Sequence, residues 1–141
     1  MKAISLWQPW ASMMQMGAKR NETRSWATGH RGDLAICSSK RKPSREEVGD
    51  DLIYMEAMTF PYGFVLCVVE LCEMIPTEHF HGATPLKISR GEAELGNYEP
   101  GRFAWVTKNL RVLKEPVPVI GRQGIWNLPP ETEALVRAQL P

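Results

Sequence analysis

A chain of 141 residues with 43% hydrophobic and 23% charged content can fill one hydrophobic core and is short for two, so one domain over residues 1–141 is expected. No apolar run approaches the ~20 residues that span a bilayer, and Trp7, Gln8 and Pro9 interrupt any secretory leader. The net charge of +1 hides an asymmetry: residues 1–45 carry nine Lys or Arg against Glu22 and Asp33, leaving the remainder of the chain acidic.

Cys37, Cys67 and Cys72 form no Cys-x-x-Cys pair, which suits reduced thiols and a cytoplasmic protein. A first strand is expected over Lys2–Leu6, after which Pro9 can open a helix. Trp10, Met13 and Met14 recur at helical spacing, and Gly17 closes the helix. Trp7 and Trp10 read as core residues. Gln8, at the strand-to-helix turn, is placed at the rim of a polar pocket.

Residues 19–25 read as a short strand whose side chains alternate. Arg20, Glu22 and Arg24 share one face, and Lys19, Asn21, Thr23 and Ser25 the other. A bulge near Gly17 would swing Lys19 beside Glu22. Three consecutive charges on one strand face are either solvated or form the floor of a polar pocket.

Asp33–Ser38 should form a third strand carrying a buried Cys37 thiol. The run Lys40-Arg41-Lys42 is either a solvated linker or a phosphate contact. Ser44 and Glu47 have capping-box spacing for a helix reaching about Phe60, with Val48, Leu52, Met55 and Ala57 turned inward. Residues 63–73 are almost continuously apolar, as in a strand buried on both faces at the centre of a sheet.

Glycines and prolines break residues 74–101, where one short helix near 89–95 is expected in an otherwise irregular insert. His79 and His81 read as surface groups, since no third metal ligand stands at a diagnostic spacing. A strand from Arg102 to Leu113 bends at Lys108-Asn109, and a closing strand covers 123–128. Pro129-Pro130 then opens a last helix with Leu135 and Val136 inward.

Gly17, Lys19, Glu22 and Arg24 fit a G-x-K-x-x-E-x-R pattern, and the chain resembles the ASCH domains of the PUA-like superfamily. Ile4–Ser12, Arg31–Ile36, Tyr98–Trp105 and Gly121–Trp126 extend the resemblance in order over nearly the whole chain. It implies an α+β fold: a mixed, mainly antiparallel β-barrel with flanking helices. It also implies an RNA or modified-nucleoside partner, with Gln8, Lys19, Glu22, Arg24, Trp26, Lys40, Arg41, Lys42 and Tyr98 as contact residues.

Lys19 and Arg24 would hold phosphate, Lys40-Arg41-Lys42 would extend the track, and Trp26 or Tyr98 would stack on a base. The other role within the resemblance is hydrolysis of N-acylated cytidine or of RNA, with Lys19 and Glu22 in acid–base roles and a later Glu92 or Glu94. Where those amidohydrolases carry threonine, this chain has Glu22. The residues favour a binding module over an enzyme. No triad, Walker loop, dinucleotide fingerprint or zinc knuckle is present, and no cofactor or metal is expected.

Overall fold

The computed structural model describes all residues 1–141. Its elements are β1 (Lys2–Leu6), α1 (Trp10–Gln15), β2 (Asn21–Arg24), β3 (Gly32–Ser38), α2 (Arg45–Val48) and α3 (Asp51–Ala57). These are followed by β4 (Phe64–Pro76), a 3-10 turn (Thr77–Phe80), α4 (Arg90–Glu94), β5 (Phe103–Pro118), β6 (Trp126–Asn127) and α5 (Pro130–Arg137). One six-stranded mixed sheet runs in the order β2-β5-β4-β3-β1-β6. Only β1 and β3 pair in parallel. The other neighbours are antiparallel. The ladder ends at β2 on one side and β6 on the other, so its hydrogen bonding is that of an open sheet and not of the expected closed barrel.

Residues alternate between the two faces, as a period of two requires. Ala3, Ala35 and Cys37 pack with Val136 of α5. Ile4, Leu6, Leu34 and Ile36 pack on the other face with Ala11 and Met14 of α1. In β4 the phase slips between Val65 and Cys67, where the pairing with β5 is irregular. Residues 65–69 are buried throughout, which matches the apolar run read from the sequence.

Several expectations about the helices need correction. The helix expected over 44–60 is two helices. Ser44 and Glu47 do form the capping box, but Gly49 adopts a left-handed φ of 80° and closes α2. Asp50 then caps α3 by accepting the N–H of Ile53. Leu52 and Met55 are exposed, leaving Ala57 as the buried residue of α3. In α5, Val136 is buried but Leu135 is exposed.

Candidate nucleic-acid interface

The stretch from Gly17 to Arg24 leaves α1 and enters β2 at the sheet edge. Lys19 and Arg20 precede the ladder, so the strict strand alternation does not bind them. Lys19 Nζ lies 3.4 Å from Glu22 Oε1, and Arg24 Nη2 lies 3.2 Å from Glu22 Oε2. The Lys19 ammonium also donates to the carbonyls of Asn21 (2.6 Å) and Leu95 (3.0 Å). Its side chain is only 1% exposed, so these partners replace its water shell.

The insert is clamped to the same stretch. Both carboxylate oxygens of Glu92 accept the Arg20 N–H, and Oε1 also takes that of Asn21. The Asn97 N–H donates to Thr23 Oγ1. Glu94, by contrast, pairs with Arg90 in solvent. Of the two later glutamates, Glu92 is the one joined to the charged stretch.

Between this clamp and α1 lies a cleft of about 440 Å³, whose walls include Ser5, Trp7, Trp10, Glu22, Arg24, Asn97 and Arg102. Two guanidiniums are fixed in it, Arg24 by a backbone carbonyl and a carboxylate and Arg102 by two backbone carbonyls. Arg24 donates through Nη2 to the Ser5 carbonyl and through Nε to Glu22. Arg102 donates through Nε to the Asn97 carbonyl and through Nη2 to the Thr23 carbonyl. Each keeps Nη1 unbonded, so two rigid cationic donors remain for an anion.

A second cleft of about 680 Å³ shares Ser5, Trp7 and Arg24 with the first, and the two form one groove. Trp26, Lys40, Arg41 and Arg122 also line it. Trp7, expected in the core, is 44% exposed, and the Arg41 guanidinium lies 4.0 Å from its ring centroid. Glu47 holds Arg41 in place and is itself drawn down to a pKa of about 2, first by that hydrogen bond. Trp26 stacks edge-on against buried Trp105, whose indole N–H donates to the Trp26 carbonyl.

Four of the expected contact residues line neither cleft, Lys19 among them, its ammonium being taken up by the Asn21 and Leu95 carbonyls and by Glu22. Gln8 is fully buried: it accepts the Ser12 N–H and donates to Ser12 Oγ and the Pro61 carbonyl. Those bonds satisfy its amide inside the protein, so it is not at the rim. Tyr98 sits behind the wall, accepting a hydrogen bond from Asn21 and packing on Phe80. Lys42 turns towards Tyr62, away from both clefts.

Sequence reasoning missed Trp7, Arg102 and Arg122. An apolar ring beside Pro9 reads as core, and nothing local marks the two arginines. His81 contacts the Tyr98 carbonyl, and no cluster of three or more potential metal ligands is present.

A mixed open sheet with flanking helices and a polar groove between the ends of β1 and β2 defines an α+β module. Residues 4–117 match the ASCH domain, and the chain belongs to that family. It is 30% identical over 136 residues to Activating signal cointegrator 1 of Homo sapiens, and 29% identical to the Mus musculus protein. Each alignment covers 89% of this chain and 22% of the relative, so the chain spans about a fifth of those proteins. The crystal structure of ASCH from Zymomonas mobilis superposes with a TM-score of 0.59 at 13% identity, covering 97% of this chain and 93% of that one. A point mutant of the same Zymomonas mobilis protein gives the same score and identity, with 94% of that chain covered. At that identity the likeness concerns the fold.

Proposed function

We propose that this ASCH domain binds RNA or a modified nucleoside in the groove formed by the two joined clefts. The association of the family with RNA supports the ligand class. The observation that carries the reading is the presence in one cleft of Arg24, held by the Ser5 carbonyl and the Glu22 carboxylate, and Arg102, held by two backbone carbonyls, each with one nitrogen spare, beside the 44% exposed ring of Trp7. Fixed guanidiniums suit phosphate oxygens, and an indole face suits a base of any sequence.

The state of Lys19 favours binding over hydrolysis. A proton-transfer group needs reach to the reacting atom. Here the ammonium is held by two carbonyls and a carboxylate and is nearly inaccessible. Its role is to fasten the 95–97 wall to the motif stretch.

The test is equilibrium binding of single-stranded RNA to the wild type and to Trp7→Ala. Loss of one stacking face costs about 1–3 kcal/mol, so affinity should fall by roughly 5- to 150-fold. Unchanged affinity would remove Trp7 from the interface and with it this reading of the groove.

A further inference from the structure

A third cleft, of about 900 Å³, lies between the loop after β5 and the start of α5. It shares Lys40, Ile120 and Arg122 with the second cleft, just as the second shares Ser5, Trp7 and Arg24 with the first. The three therefore form one furrow. It is lined by Arg102, Arg24, Arg41, Lys40 and Arg122 against the carboxylates of Glu22 and Glu131.

We propose that the third cleft is a further nucleotide subsite, and that the ligand of the whole furrow is a single-stranded oligonucleotide several residues long. The inference rests on the binding role proposed for the first two clefts and extends it from a nucleoside to a strand. Three observations carry it.

Lys40 and Arg122 stand at the junction of the second and third clefts. Both are exposed, and neither has a salt bridge or a side-chain hydrogen bond. Arg41, Arg45, Arg111 and Arg137, by contrast, are each taken by a carboxylate. Two unengaged cations between neighbouring clefts are placed as phosphate contacts between successive bases would be.

The junction is also built into the fold. The loop carrying Arg122 lies so close on β1 that a Cβ at Gly121 would meet Ser5 Oγ at 2.5 Å. The aliphatic stem of Lys40 passes 2.9 Å from where a Cβ at Gly63 would stand. Gly63 has a φ of +81° that suits glycine, and a side chain there would push Lys40 aside, while one at Gly121 would force Ser5 to turn.

Trp126 closes one side of the third cleft; it is only 7% exposed, and its indole N–H, with under 1 Å² of accessible surface, has no acceptor within the protein. A buried donor left unbonded is costly, and a small shift of the ring on ligand entry would let it bond.

The experiment measures affinity for a ladder of ribonucleotides, from a mononucleotide to about eight residues, a span within the site sizes of single-strand binders. Wild type, Arg24→Ala and the double variant Lys40→Ala/Arg122→Ala are compared, with thermal unfolding as the folding control. Wild-type affinity should climb with length. The double variant should lose far more affinity on long oligonucleotides than on the mononucleotide, so that most of the gain with length disappears. Its slope of log affinity against log salt should fall by up to about 1.4, two phosphates at about 0.7 each. Arg24→Ala should weaken every length.

A wild-type affinity that stops rising after one or two residues, or a length gain that survives in the double variant, overturns the extended track and leaves the first groove standing. Absence of binding at every length overturns both.

Discussion

Lys19 and Glu22 form an ion pair at 3.4 Å in which the lysine side chain is 1% exposed and the glutamate 13%. The pair acts as a fastener for the groove wall, because the same ammonium holds the Leu95 carbonyl of the insert. Replacing Lys19 by methionine leaves two carbonyls without their donor and removes one counter-ion from a largely buried carboxylate. The expected cost is about 3 kcal/mol in urea unfolding. Amide exchange of Leu95, Gly96 and Asn97 should speed up as the wall loosens. Lys19→Arg should also destabilise, since a planar guanidinium cannot reproduce the three contacts that the compact ammonium makes to the Asn21 and Leu95 carbonyls and Glu22. Either variant matching wild-type stability would show that the pair does not fasten the wall.

The thiols should divide sharply under native conditions. Cys37 and Cys67 are 0% exposed. Burial, aided by the neighbouring thiol, raises the pKa of Cys37 well beyond the ordinary range, and burial pushes Cys67 up to about 12. Cys72 is partly exposed, with its thiol near the Val106 carbonyl at 3.1 Å. A thiol reagent at neutral pH should therefore modify Cys72 first, and the other two only on unfolding. Rapid modification of all three would mean that the β3–β4 core opens far more readily than its packing implies.

How much of the fold and groove is legible in the sequence depends on the range of the interaction that decides each feature. β4 is clear because burial on both faces writes itself as an unbroken apolar run. The Ser44 cap is clear because its partner Glu47 is three residues away. Gln8 reads wrongly as a rim residue because its decisive partner, the Pro61 carbonyl, is 53 residues distant. Trp7 reads as core on residue type, but Arg41 covers its ring and a cleft lies alongside. Arg102 is tied to the motif strand only through the Thr23 carbonyl, 79 residues away, a contact that no local pattern encodes. The splitting of the 44–60 helix at Gly49 is the exception, since a local glycine signal is present and the apolar spacing masks it.

Acid should reveal the Asp33–Arg111 pair. A hydrogen bond at 2.7 Å from the Arg111 guanidinium holds the Asp33 carboxyl below its usual value of 3.8. For a lowered folded-state pKa, the stabilisation is complete above the unfolded value and is lost as pH falls through the folded one. The stability difference between wild type and Asp33→Asn should therefore be constant from neutral pH down to roughly 5, begin to shrink near about 4, and vanish only below the lowered folded-state value. The contact is partly solvated, so added salt should shrink the gap at every pH. A gap that widens on acidification would contradict the assignment.

Binding by the two fixed guanidiniums, without chemistry on the ligand, is tested most directly by measuring binding and turnover together. Single-stranded RNA and N-acylated cytidine are each incubated with the wild type and with Arg24→Ala/Arg102→Ala, and bound and chemically changed material are both quantified. The expected result is saturable binding of RNA that returns intact, falling by at least about tenfold in the double variant through loss of two charge-assisted contacts. Equal binding by both proteins, or wild-type turnover of either substrate, would contradict it.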